Sequence, residues 1–146
     1  MLGPPRYQLT TEDGSSYTLY VPAKSVGVGV VTGHGTAEIA RAMIAQVNIL
    51  FAQEGTLAVF ADFSEMKSYT TETRVLLTDW TKTKLPKIRM LHLCVRSKIV
   101  AMGVSVANMA LRSSIQMYTV RARFDAALQM EIDRVQGLKR PSIPPR

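Results

Sequence analysis

A short apolar run, Leu57-Ala58-Val59-Phe60-Ala61, most constrains how this chain can fold. It opens after Gly55 and closes on Asp62-Phe63-Ser64. A run of this length between turn signals predicts a strand over residues 56–63 that is covered on both faces, the environment of an interior strand in a parallel sheet. Open α/β sheets meet ligands and partners at the carboxyl ends of their strands. Residues 62–74 are therefore the first place to expect function.

The flanking sequence supplies the rest of such a sheet. Tyr7-Gln8-Leu9-Thr10 and Tyr17-Thr18-Leu19-Tyr20 alternate around Glu12-Asp13-Gly14-Ser15, which predicts a hairpin over residues 7–20. Val21-Pro22 is expected to end its second arm. Val26 to Thr32 reads as the next strand, and Gly33-His34-Gly35-Thr36 as a plain turn into a helix that stops at Gly55. Ile39, Met43, Val47 and Leu50 mark the apolar face of that helix. A second helix is predicted over residues 71–84, capped by Thr70 or Thr71, with Glu72 in its first turn, Lys82 and Lys84 in its last, and Pro86 beyond it. A strand over residues 88–95, a helix opening at Ser97 and reaching Arg112, and a strand over residues 115–120 follow. Phe124, Ala127, Leu128, Ile132 and Val135 form the stripe of a last helix, ended by Gly137. The order β-β-β-α-β-α-β-α-β-α predicts an α/β fold: a mixed sheet with an N-terminal antiparallel hairpin at its edge and four helices, joined by right-handed crossovers.

With 146 residues, 47% of them hydrophobic and 20% charged, the chain is expected to form one globular domain over residues 1–136, followed by a basic, proline-rich tail over residues 137–146. The net charge of +7 includes Lys139, Arg140 and Arg146 of that tail. It suits weak contact with an anionic surface, but no nucleic-acid motif or aromatic stacking set accompanies it, so no specific nucleic-acid partner is expected. Lys82, Lys84, Lys87 and Arg89 precede one strand and Arg96 and Lys98 follow it, at opposite ends, which reads as solvated surface. The single cysteine, Cys94, excludes an intramolecular disulfide. No signal-peptide core and no membrane-spanning stretch is present, and a soluble, cytoplasmic protein is expected.

Residue types that carry chemistry do not converge. Gly33-x-Gly35 lacks the third glycine of a dinucleotide fingerprint and has Glu38 in its place. His92-x-Cys94 puts two groups on one face of a strand, but zinc needs three or four ligands, and a buried Cys–His pair is closed to substrate. Ser64, His34 and Asp62 form a Ser-His-Asp set only on paper, since no nucleophile elbow appears. Asp62, Glu65 and Glu72 cluster near the strand end, where loop solvation and capping account for them as well as acid–base work does. The sequence thus implies no catalytic residue, no metal and no cofactor.

The third helix departs from ordinary patterning. Lys98, Ser105 and Arg112 form one narrow polar stripe, joined only by Asn108, and the remaining positions are apolar or small. A helix that covers one face of a sheet needs a much narrower apolar arc. The surplus, including Ile99, Ala101, Met102, Val106 and Met109, must be covered by neighbouring helices, a second copy, a partner or an apolar ligand.

The element order over residues 5–136 resembles the STAS domain, and more closely its SpoIIAA-like, STAS/SEC14-type relatives. Asp62-Phe63-Ser64 at the strand end, Thr70-Thr71 at the next helix and Phe124-Asp125-Ala126-Ala127 in the last helix carry the local likeness. In the anti-sigma antagonists of that family an Asp-Ser-Ser-Gly segment opens the second helix, and its first serine is phosphorylated by a partner kinase. That segment is absent here, and its place falls at Tyr69-Thr70-Thr71-Glu72. The resemblance implies a non-enzymatic regulatory module that acts through protein contacts, with Thr70 or Thr71 as phospho-acceptor, and the apolar arc of the third helix adds the expectation that it self-associates. Its partner-binding corner would hold Asp62, Ser64, Glu65, Glu72 and Arg74. The SEC14 side implies an alternative, a small apolar or lipid-like ligand held against the sheet or between helices. A small enzyme built on the acidic cluster is the third possibility.

Overall fold

The computed structural model describes residues 2–137; residue 1 and residues 138–146, which hold all of the expected tail but Gly137, lie outside the described residues. Six strands form one sheet in sequential order: β1 (Tyr7–Thr10), β2 (Ser16–Ala23), β3 (Val26–Gly35), β4 (Leu57–Tyr69), β5 (Ile88–Val95) and β6 (Ile115–Tyr118). β1, β2 and β3 pair antiparallel, whereas β3 to β6 pair parallel. Helices α1 (Ala37–Glu54), α2 (Thr71–Lys84) and α3 (Lys98–Ala110) connect the parallel strands, and α4 (Arg121–Val135) follows β6. This is the mixed α/β sheet with four helices that the sequence predicts.

Local chemistry accounts for most boundaries. In the β1–β2 turn the Asp13 carboxylate accepts from Thr11 Oγ1 at 2.5 Å and from the Ser15 amide at 2.9 Å. Those bonds, the one from Thr11 above all, lower its pKa to about 2. Thr36, Thr70 and Ser97 cap α1, α2 and α3 by accepting from the amides of Ile39, Thr73 and Val100. Gly55 ends α1 at φ 81°, a left-handed conformation that suits glycine.

Three boundaries differ from expectation. Pro22 lies inside β2, at a register shift between Tyr20 and Ala23 that removes the need for its missing N–H. β4 does not close at Phe63 but continues to Tyr69, and Gly33-His34-Gly35 is its strand partner rather than a turn. Beyond Phe63, where the ladder to β5 ends, β3 alone carries β4 onward. β6 stops at Tyr118, short of the predicted 120.

The two faces of the sheet are packed differently. α1 and α3 bury Ile39, Leu50, Phe51, Val100 and Val104 on one face. α4 alone covers the other, where Phe124, Leu128 and Ile132 meet Val26, Ala58 and Phe60. α2 buries only Thr73. It is held to its neighbour instead: Trp80 meets Phe51 edge-on at 6.1 Å between centroids, and its Nε1 donates to Asn48 Oδ1 at 2.9 Å.

Glu131 pins α4 to the sheet. Its side chain is 3% exposed and accepts from Arg134 Nε and Nη2 at 2.8 and 2.6 Å, and from Arg89 Nε and Nη2 at 3.0 and 2.8 Å. The bonds from Arg134, with those from Arg89, hold its carboxyl below the ordinary value of 4.5. A lowered folded pKa means that its stabilisation is complete above the ordinary value and is lost as pH falls through the folded one. Glu131→Gln should therefore cost about 1–2 kcal/mol in urea unfolding at neutral pH, because a neutral amide replaces the buried acceptor of the bonds from Arg89 and Arg134. The gap from the parent protein should close progressively in unfolding curves taken at acid pH.

Candidate functional site

The predicted corner over residues 62–74 is not one place. Asp62 lies within β4, level with the end of the β5 ladder, and is 5% exposed. Arg121, the first residue of α4, pairs with its Oδ2 at 2.9 Å and reaches Asp125 at 3.1 Å. Ser64 donates its amide and its hydroxyl to Asp62 Oδ1 at 3.0 and 2.6 Å, and Arg121 donates to Ser64 Oγ at 3.1 Å. Asp62 and Ser64 thus form a closed cluster on the α4 side. Glu65 pairs with Arg96 at 3.3 Å on the surface. Glu72 turns the opposite way and joins α2 to α1 through Arg41 at 2.8 Å. Arg74 borders a cavity on the helical face. The acids do not converge, and no group of three or more His, Cys, Asp or Glu capable of holding a metal occurs among the described residues.

Thr70 and Thr71 differ in availability. Thr70 Oγ1 caps α2 from 3.1 Å and also bonds Thr73 Oγ1 at 2.8 Å. Thr71, the first residue of α2, is exposed, and its hydroxyl has no partner among the described residues. The α2 start is itself tied to β3, since the Gly35 carbonyl accepts from the Thr70 amide at 3.0 Å and from Thr73 Oγ1 at 2.8 Å.

The paper catalytic sets come apart. His34 Nδ1 bonds Ser68 at 2.5 Å across the β3–β4 ladder, far from the Asp62–Ser64 pair's own partners. His92 bonds Tyr118 at 3.0 Å and packs edge-on to Phe60. Burial lowers its pKa, and burial beside Asp62 raises that of the Cys94 thiol. Both are neutral groups in the α4-side core.

α3 divides its wide apolar arc. Val100, Gly103 and Val104 face the core, and Ala101 packs half-buried against it. Ile99, Met102, Val106 and Met109 point outward, 60%, 68%, 52% and 80% exposed. Below α3, between it, α2 and the sheet, lies an apolar cavity of about 130 Å³. Tyr69, at the end of β4, closes one side of it, and its ring lies so close to Gly103 that a Cβ there would collide with it.

Sequence reasoning missed Arg121 and Tyr69. Arg121 left one signal, a cation in the first turn of a helix, where the dipole disfavours it unless an acid lies near. Tyr69 left none, because its role depends on the extended β4.

No protein-family profile matches the sequence, and no curated protein is similar to it in sequence. Solved structures are similar in fold. An anti-sigma factor antagonist from Mycobacterium paratuberculosis superposes with a TM-score of 0.59 at 14% identity, covering 83% of this chain and 99% of that one. The anti-sigma factor antagonist SpoIIAA, in its unphosphorylated form, gives 0.59 at 13% identity, with 85% and 99% covered. A Shewanella loihica PV-4 protein with a SpoIIAA-like fold gives 0.55 at 11% identity, with 84% and 90% covered. The chain has a SpoIIAA-like fold.

Asp62→Ala should strand Arg121 and Ser64 and free the start of α4. A loss of about 2 kcal/mol in urea unfolding is expected, with faster amide exchange confined to residues around Arg121.

Proposed function

We propose, from the premise of a STAS/SpoIIAA-like fold, that this chain is a non-enzymatic regulatory module that works through protein contacts and pairs with a second copy of itself through α3. One observation carries the reading. Ile99, Met102, Val106 and Met109 recur at helical spacing on the outward face of α3 and leave an apolar stripe open. Methionine-rich surfaces adapt to a facing helix, and the stripe has few charges to desolvate. Of the predicted corner, the exposed Glu65 is the proposed partner contact, with Asp62 and Ser64 acting there by fixing β4 and α4; Glu72 and Arg74 lie apart from it on the helical face. The similar solved structures include two anti-sigma factor antagonists, which supports a protein partner. Weak contact with an anionic surface through the basic residues belongs to the same proposal. No described helix is long and apolar enough to cross a membrane.

Thr71 is the better phospho-acceptor of the two threonines, since Thr70 is engaged as the cap. Phosphate at a helix N-terminus is electrostatically favoured. Intact mass of protein from its native host should show a phosphorylated form that Thr71→Ala removes; an unmodified mass under all growth conditions would reject the switch.

A second reading is favoured by the cavity beneath α2 and α3, whose apolar lining suits a small ligand.

Light scattering after size exclusion should give a dimer for the parent protein and a monomer for Met102→Glu, with the circular dichroism spectrum unchanged. A parent that stays monomeric at high concentration overturns the α3 pairing.

A further inference from the structure

The two faces of the sheet differ at the middle of its central strand. Under α4, Ala58 and Phe60 have no exposure at all. On the opposite side of the same central strand, Val59 is only half-buried, although helices lie on both flanks. The cause is α2, which rests on α1 and α3 and buries only Thr73. Its inward residues Leu77 and Trp80 line a gap together with Val59 and Leu91 of the sheet. The gap measures about 130 Å³. That is close to the roughly 150 Å³ of an engineered apolar cavity that stays dry and takes up benzene.

The rim is not apolar throughout. Arg74, Thr78 and Thr81 border the cavity and recur at i, i+4 and i+7 along α2, so they form one polar edge. Arg74 is the only cation among the described residues of the lining, and its guanidinium has no hydrogen bond or ion pair to any of the described residues. The other arginines near the functional corner are committed: Arg41 to Glu72, Arg96 to Glu65, and Arg121 to Asp62. A free guanidinium above an apolar hollow matches a molecule with one anionic end and a short apolar body.

We propose that this cavity is a binding site for small amphipathic carboxylates, with a body of about six to eight carbons lying against Val59 and Leu91 and the carboxylate held at the rim by Arg74. The inference rests on the second reading above and deepens it by naming the ligand class and its anchor. The volume excludes a full-length acyl chain within the hollow.

The test is an amide-resolved NMR titration of the chain with octanoate and, separately, octan-1-ol. Both should shift the amides of Val59, Leu77 and Ala107. Arg74→Gln should weaken octanoate about tenfold, as loss of a charge-assisted hydrogen bond implies, and leave octanol unchanged. Val59→Phe and Ala107→Phe each fill the hollow and should abolish binding of both probes; dispersed spectra establish that each variant is folded, and either one suffices. If both probes bind the cavity but Arg74→Gln leaves octanoate unaffected, carboxylate recognition is overturned and the apolar-ligand reading survives. If neither probe shifts the cavity amides at millimolar concentration, or if both folded cavity-filling variants bind as the parent does, both are overturned.

Discussion

A helix is about twice as wide as the step between strands, and that mismatch shapes this molecule. β3, β4, β5 and β6 are neighbours in sequential order. Right-handed crossovers between adjacent parallel strands then deliver α1, α2 and α3 to one face. Each step across the sheet is about 4.8 Å, but packed helix axes lie about 8–10 Å apart. Three helices cannot all lie flat over three such steps. α1 spreads outward over β1, β2 and β3, and α3 leans back over β4. α2 is left riding on the two of them. Its composition fits the position: Thr71, Glu72, Asp79, Lys82 and Thr83 are exposed, and its apolar residues Leu76, Leu77 and Trp80 are half-buried, with Val75 exposed. The cavity is thus a consequence of topology, not a packing defect.

The face under α4 has the opposite problem. One helix must stay in place on a sheet with no neighbour beside it. Two buried carboxylates hold it. Asp62 fixes its first residue through Arg121, and Glu131 fixes its later turns through Arg89 and Arg134. Arg89 also donates to the Ser25 carbonyl at 3.1 Å, which ties the same pin to the β2–β3 turn. Such groups add little over a well-packed apolar replacement, yet removal of one partner is costly because the other is left unpaired. They therefore define where α4 sits more than they strengthen its hold. Between the pins, the rings of Phe60, His92, Tyr118 and Phe124 pack against one another at 4.9 to 5.9 Å between centroids.

What the sequence made legible follows the range of the forces involved. α2 and β5 fall on the predicted residues because caps, proline and apolar runs act over a few positions. The extension of β4 was hidden, since Ser64 to Tyr69 is polar enough to pass for a loop. Met66 is buried there between exposed Glu65 and Lys67, an alternation too short to outweigh that polarity. Only pairing with Gly33-His34-Gly35 makes it a strand, and that pairing spans a whole helix in sequence. The candidate site suffered in the same way. Asp62 reads as a solvated acid until Arg121, at the far end of the chain, closes over it. Arg74 reads as part of a partner-binding corner until α2 is seen to carry it to the rim of the cavity.

The wide apolar arc on the third helix was legible, and its division explains why it had to be wide. α3 lies beside a hollow, so its inner face must stay apolar without being bulky: Gly103 admits the Tyr69 ring, and Ala107 borders the cavity. Small inner residues bury little area and hold the helix weakly. The outward residues Ile99, Met102, Val106 and Met109 do nothing for that hold within one copy. A surface helix could carry lysine or glutamate at these positions at no cost to the fold, and would gain solubility by doing so. Their apolar character therefore calls for a cause outside the single chain. The proposed facing copy of α3 would supply one, since it would bury the stripe and clamp from outside a helix that the cavity leaves thinly supported from within.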